Sequence, residues 1–447
     1  MANDVDRMLD EVGKALEQDL LPVGIFNDRS IFEAEIERIF TRNWIFVAHE
    51  SELPNKGDFV LRKIGLESVI VTRDSDGGIN VMSNHCRHRG TEVCQADRGN
   101  AAHFKCPYHG WSYRNNGDWA GAPHLLEAYG GRLDKKKWGL LHAPHVDVHQ
   151  GFIFASLDPD APPLKEYLGG MAWLLDAFVG LAPGGMRVAA PPERYRVRAN
   201  WKTAAENFAG DVYHVDHLHW SVQQVDAGAG LEGTCEFART YEFDNGHSAV
   251  GHEWVKAIHP GWVFGGYPEH YLGQFDLGRL DPAQLQMMRD KPPTVGTIFP
   301  NLSFIRVAVF LQLNQGPAVM TSFRQWQPIS PDEIELWNWQ LVWSFESAEE
   351  AERAYKLGQF SFGSAGIFEQ DDTVAWEGIA KVGASAWWRR AGAQFHFQQG
   401  NGTKVDHSPD PSWTGPGTHR LTGYGEHGQL NFYRHWLKVM REGGEAR

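Results

Sequence analysis

The chain has 447 residues, with 42 Lys and Arg against 56 Asp and Glu and a formal net charge of −14. That length is enough for two or three domains with substantial cores, and the acidic balance argues against a nucleic-acid partner. No apolar run is long enough to span a bilayer and the N-terminal MANDVDRMLDEVGKALEQD has no apolar signal core, so a cytoplasmic protein with no membrane partner is expected.

In chain order, Val5, Met8, Leu9, Val12 and Leu16 recur at helical spacing, and Ser30 with Glu33 reads as a capping box opening a second helix. From Trp44 the period changes to strands (WIFVAHE, DFVLRKI, SVIVTRD), with hairpin signals at Asp76-Gly77-Gly78 and Asn116-Gly117. GFIFASL at 151–157 closes this β-rich region, and DPDAPP at 158–163 reads as a linker. Residues 38–157 are therefore expected as one domain, with 1–37 and 158–447 forming a second. Beyond the linker come the helical run LKEYLGGMAWLLDAF, a strand at Tyr195–Arg198, a Gly/Ala-rich loop at 226–234, and strands alternating across Asn245-Gly246 and Asn314–Pro317 to IELWNWQLVWSF. Ser347 with Glu350 is another capping box, and FYRHWLKVMRE predicts a terminal helix. The whole predicts an α+β protein with a large antiparallel sheet flanked by helices.

Two stretches carry chemistry. Between Asn84 and Trp111 lie Cys86-x-His88 and Cys106-x-x-His109, separated by the seventeen residues from Arg89 to Lys105. Two thiolates and two imidazoles could hold a tetrahedral zinc, a purely structural role. A zinc finger, however, usually groups its cysteines and its histidines, whereas each loop here brings one of each. That order suits a [2Fe–2S] cluster with Cys86 and Cys106 on one iron and His88 and His109 on the other. His85 and His103 fall outside the paired pattern and read as surface or outlying residues, and Cys94 reads as a buried or half-buried thiol. Two of the four cysteines being committed, only Cys94 and Cys235 could form a disulfide, which fits a reducing compartment.

The second stretch, ENFAGDVYHVDHLH at 206–219, holds three histidines and two aspartates. Two histidines and one carboxylate on one face are the ligand set of non-haem Fe(II) oxygenases. On a continuous helix His214 and His217 share a face, while His214 and His219 diverge by about 140°. A helix end or a π-type turn would bring the latter pair together, so spacing leaves both pairs open.

Together the two stretches resemble the α-subunit of Rieske aromatic-ring-hydroxylating oxygenases of the naphthalene-dioxygenase type. The shared text is Cys-Arg-His-Arg-Gly, Tyr108-His109-Gly110-Trp111 and Glu206-Asn207-x-x-x-Asp211-x-Tyr213-His214-x-x-x-x-His219. The resemblance implies a Rieske domain inserted in a helix-grip catalytic domain, and a mononuclear Fe(II) on His214, His219 and Asp372, the last from Glu369-Gln370-Asp371-Asp372. It gives Asp211 the role of joining the cluster histidine of one subunit to the iron histidine of the next, and makes Asn207 a catalytic residue beside it. A carboxylate behind an imidazole also fixes its orientation; the plainer reading is an i, i+3 helix pair.

The resemblance further implies cis-dihydroxylation of an aromatic ring by O₂, with NADH electrons arriving through a ferredoxin reductase and a ferredoxin, and an α₃β₃ assembly with a small β-subunit. Its pocket positions fall on Phe208, Val295, Ile305, Phe362 and Phe368, all apolar, which favours a neutral arene. Arg306, if turned inward, would suit an aromatic acid such as a benzoate or salicylate; on a strand it should point away from Ile305. A monooxygenase or O-demethylase within the same superfamily would use the same ligands, and a non-catalytic Rieske electron carrier would not need the second set.

Overall fold

The computed structural model describes residues 2–225, 234–253, 262–309 and 318–444. They pack into two compact units, Phe40–Leu164, and Met1–Ile39 with Lys165–Arg447. The run 158–163 stays with the first of these, since Trp44 Nε1 donates to the Pro162 carbonyl at 2.8 Å. All strand pairs among the described residues are antiparallel, giving the mixed α+β architecture that the sequence predicts.

The Phe40–Leu164 unit holds three small sheets. One is built on the meander Asp58–Ile64, Glu67–Arg73 and Ile79–Ser83. Another comprises His103–Lys105, Ser112–Arg114 and Trp119–Gly121. Both predicted hairpin turns form. Gly77 and Gly117 take φ of 95° and 86°, which glycine adopts without a Cβ penalty, and Asp74 Oδ1 accepts from the N–H of Asp76 and Gly78.

In the second unit one sheet runs in the order Met186–Val188, Glu333–Trp343, Ala318–Ser330, Leu302–Val309, Pro293–Ile298, Ser248–His252, Ala238–Glu242 and Thr418–Arg420. Glu193–Val197 also pairs with Glu333–Trp343. Helices Trp201–Gly210 and His427–Glu442 pack together against this sheet, and Ala348–Phe362 covers its two longest strands. The predicted capping box at Ser347 and Glu350 is present. The one predicted at Ser30 and Glu33 is not: Asp28 caps Arg29–Glu35, its carboxylate accepting from the N–H of Ser30 and Ile31. An aspartate two residues upstream satisfies the first-turn N–H groups, so Ser30 falls inside the helix and Glu33 pairs with Arg29 instead. The predicted helical run after the linker breaks at Gly169 into Leu164–Leu168 and Gly170–Phe178. Asn314–Pro317, and all but Thr234 of the 226–234 loop, lie outside the described residues. No described helix is long and apolar enough to cross a membrane.

The N-terminal segment is tied to this unit by a buried polar knot. Glu35, fully buried, accepts from Lys202 Nζ at 2.6 Å and from the indoles of Trp201 and Trp436 at 2.9 Å each. Removing one partner of such a pair leaves a charge in low dielectric. Glu35→Ala is expected to cost about 3–5 kcal/mol, read as a lowered Tm, with Glu35→Gln losing less because its amide oxygen still accepts.

Candidate metal centres

The two cysteine-histidine loops are closed by the same pair of backbone bonds. Gly90 N–H donates to Cys86 O at 2.8 Å and Gly110 N–H to Cys106 O at 3.0 Å; Cys86 and Cys106 N–H donate to the carbonyls of Thr91 and Trp111. Both glycines have positive φ, 77° and 73°, and a Cβ at Gly110 would lie 2.8 Å from Pro123 Cγ. The loops thus present matched ligand positions. Cys86 and Cys106 are buried and unbridged, the His88 and His109 ring centroids are 4.5 Å apart, and Trp111 stacks on His88 at 5.1 Å.

Tyr113 Oη accepts from Arg87 N–H at 3.0 Å, so its own hydrogen is available to Cys86 Sγ at 3.2 Å. Such a bond stabilises a thiolate and tunes the potential of any cluster it holds. The buried His88 Nδ1 has no protein hydrogen-bond partner, as expected of a nitrogen reserved for a metal. Cys94 is buried with its thiol against the Ala96 carbonyl, His103 is exposed and His85 half-buried beside Ser83, so none of the three joins the ligand group.

The second centre depends on a broken helix. Trp201–Gly210, capped by the Asn200 side chain on Lys202 N–H, stops at Asp211, whose ψ of 84° is not helical. The chain restarts as the single turn Val215–Leu218, with His214 at its N-cap and His219 at its C-cap. The break makes His214 and His219 converge, and His217 is left exposed. Asp372, in the first turn of helix Glu369–Gly383, places Oδ1 3.6 Å from His214 Nε2 and 3.4 Å from His219 Nε2. One ligand atom from each of the three lies within 4.8 Å of the others.

Behind each imidazole stands a carboxylate: Asp211 Oδ1 at 3.4 Å from His214 Nδ1, and Asp371 Oδ2 at 3.4 Å from His219 Nδ1. Asn207 Nδ2 donates to Asp211 at 3.4 Å. Carboxylates in this position hold Nε2 toward a metal. Asp372 Oδ1 is buried without a hydrogen-bond partner, so the donor set fits a cation. Glu369, one turn earlier, is clamped in the interior by Arg324, whose guanidinium lies over the rings of Phe208, Trp326 and Phe362.

A cavity of about 130 Å³ opens on this group. Phe208, Val295, Ile305, Phe362 and Phe368, the positions expected from sequence, all line it, together with Val307, Thr294 and His252. Phe362 and Phe368 stack at 5.3 Å, and Phe368 meets His219 edge-on at 5.1 Å. Arg306 points to the other face of its strand, its guanidinium 3.8 Å from the Phe178 ring centroid and bonded to Thr321. Among the described residues, then, no Lys or Arg lines the cavity.

Sequence reasoning missed three contributors. Asp371 stood out only as a member of the acidic run Glu369–Asp372, and Thr294 and His252 sit on strands with no motif around them. An adjacent acid pair at a helix start, one facing each side, was the available signal for Asp371.

Two family models match this chain: "Rieske [2Fe-2S] domain" over residues 43–130 and "Ring hydroxylating alpha subunit (catalytic domain)" over 187–442. The chain belongs to the ring-hydroxylating oxygenase α-subunits. It is 48% identical over 98% of its length to the α-subunit of an N,N-dimethyl phenylurea N-demethylase from Sphingobium sp. (strain YBL2), covering 95% of that protein. It is 33% identical over 80% of its length to the large oxygenase component of a naphthalene 1,2-dioxygenase system from Pseudomonas aeruginosa, covering 78% of it. The crystal structure of naphthalene 1,2-dioxygenase from Rhodococcus sp. bound to indole superposes with a TM-score of 0.89 at 35% identity, covering 98% of this chain and 99% of that one.

This ring-hydroxylating oxygenase α-subunit is thus an oxidoreductase with a Rieske [2Fe–2S] cluster and a catalytic non-haem iron, and such oxygenases work with a reductase and a ferredoxin.

Loading a metal at His214, His219 and Asp372 must displace protons. Burial raises Asp372 to about 7. For His214 burial acts downward, but Asp211 outweighs it and lifts the imidazole to about 9; burial lowers His219 to about 4. A group protonated below its pKa competes with the ion there, so Fe(II) affinity should rise as pH climbs through about 7 toward 9. Anaerobic titration of iron-depleted protein across that range checks this, and affinity independent of pH would contradict it.

Proposed function

We propose that this α-subunit oxygenates a small neutral aromatic compound, and that its reaction is oxidative N-demethylation of an N,N-dimethyl aryl urea or amide. The carrying observation is the apolar cavity at His214, His219 and Asp372, with Arg306 turned away from it. A carboxylate substrate would meet the Asp211 carboxylate there with no Lys or Arg in the described wall. The demethylation reading is supported by the 48% identity to the phenylurea N-demethylase α-subunit, which extends over nearly the whole of both chains. Cis-dihydroxylation of an arene is the second reading, favoured by the TM-score of 0.89 to the naphthalene dioxygenase.

In this proposal His214, His219 and Asp372 hold Fe(II), with Cys86 and Cys106 on one cluster iron and His88 and His109 on the other. When bound, the two centres supply electron relay and O₂ activation. The chain's own residues do the rest. Asp211 and Asp371 aim the two imidazoles, and Asn207 holds Asp211. Phe208, Val295, Ile305, Phe362 and Phe368 exclude water and lay the substrate's ring flat against apolar walls.

In the balanced reaction one N-methyl C–H becomes C–OH, and the second oxygen atom of O₂ leaves as water with two electrons and two protons. The carbinolamine then releases formaldehyde and a secondary amide nitrogen. Electrons come from NADH through a ferredoxin reductase and a ferredoxin. A trimer of α-subunits with small β-subunits would let Asp211 join His109 of one subunit to His214 of the next, and NADH-fed partners would suit a cytoplasmic system.

The test is anaerobic single turnover of the chemically reduced protein with N,N-dimethyl-N′-phenylurea or naphthalene, then O₂, with products identified by mass spectrometry. Formaldehyde and the monomethyl urea in equal amounts are expected. A naphthalene cis-dihydrodiol without demethylation would transfer the conclusion to the second reading, and turnover of benzoates or salicylates alone would overturn both.

A further inference from the structure

The chain as a whole is strongly acidic, at −14, yet its one run of three consecutive basic residues, Lys135, Lys136 and Lys137, lies in the unit that holds the cluster loops. All three are exposed, as is Arg132, and a single acid, Asp134, stands among them. The lysines ride on a short turn: Lys137 N–H donates to the Asp134 carbonyl at 3.1 Å, and Lys136 N–H to the Asp134 carboxylate at 2.9 Å. Both ends of the turn are pinned. Leu133 and Trp138 pack on the hydrophobic core that contains Cys86 and Cys106, and Leu140 N–H donates to the Gly117 carbonyl at 2.9 Å. Trp138 meets Trp111 edge-on at 6.0 Å, and Trp111 lies parallel to the His88 ring, with 8° between the planes. The Lys137 ammonium and the Arg87 guanidinium sit 5.6 and 5.9 Å from the Trp138 ring centroid. Two ring contacts thus join a positively charged surface to one cluster histidine.

We propose that this surface docks an acidic one-electron carrier, and that electrons enter the cluster on its His88 side. An acidic protein is repelled by a chain of net charge −14 over most of its surface and attracted where the local charge is reversed, which steers its approach to this turn. Basic residues around a half-buried tryptophan also give the charged rim and aromatic centre on which protein interfaces are built. The step moves one electron from the reduced carrier to the oxidised cluster, and no bond forms or breaks. His109, exposed on the other loop, is left for the exit toward the iron histidine of the next subunit. The inference rests on the cluster ligands proposed above and is independent of whether the substrate is demethylated or dihydroxylated.

The probe is an acidic plant-type [2Fe–2S] ferredoxin, titrated into the oxidised holoenzyme by calorimetry and, once reduced, mixed with it in anaerobic stopped flow. In Lys135→Gln/Lys136→Gln/Lys137→Gln the Kd at low salt is expected to rise about ten-fold, the sum of three exposed charge contacts, and the difference should vanish at high salt. The second-order rate of cluster reduction should fall by the same factor while the rate at saturating ferredoxin keeps its wild-type value, because the lysines bring the carrier in and do not carry the electron. A matched variant that removes three exposed charges from the other unit, Arg389→Gln/Arg390→Gln/Lys404→Gln, should bind as wild type does. Equal Kd in wild type and the lysine variant, equal weakening in the matched variant, or no binding by wild type at low salt would overturn the docking surface. Each of these leaves the proposed function standing. Purified protein without the cluster's visible absorption would instead overturn the cluster ligands, and this inference with them.

Discussion

A carboxylate buried as deeply as Asp372 is held there against its own desolvation, and the surrounding structure exists to make that tolerable. Its free oxygen faces two imidazoles, Arg324 and Glu369 form a buried pair one turn earlier on the same helix, and carboxylates back both histidines. Burial raises the pKa of Asp372 and the neighbouring Asp211 raises that of His214, so a cation bound there would have to displace protons. The catalytic unit's architecture follows from the need to deliver these groups from distant stretches of chain. A helix that stops at Gly210 releases His214 and His219 to converge, while the helix beginning at Glu369 supplies the acid.

The cluster loops solve a related problem by repetition. The same closure, glycine N–H to cysteine carbonyl and cysteine N–H to the carbonyl five residues on, is built twice, so each loop offers one sulfur and one imidazole in equivalent settings. Tyr113 breaks the equivalence by hydrogen-bonding one cysteine, Cys86. The environments of the two sulfurs therefore differ even though the loops match.

Much of this was legible in the sequence because it is local. The hairpin glycines and the Ser347 cap depend on residues within one turn of each other, and each forms as read. Period-two alternation likewise placed Arg306 opposite Ile305. What was not legible is set by partners far apart in sequence or by competition between neighbours. Asp28 displaced Ser30 as a cap because it is an earlier, charged acceptor. The helix break that selects His219 over His217 cannot be inferred from spacing, and resemblance supplied that choice. Thr294 and His252 become a pair only through a bulge, and Glu35 finds Lys202 and Trp436 only in three dimensions.

The central claim is that Asp372 completes a metal site separate from the cluster, and iron content tests it most directly. Purified protein should carry about three irons per chain, two of them in the cluster. Asp372→Ala should lose the third while the visible absorption of the cluster stays the same. An Asp372→Ala protein that keeps its full iron content, or loses cluster colour in step with the iron, would contradict the account.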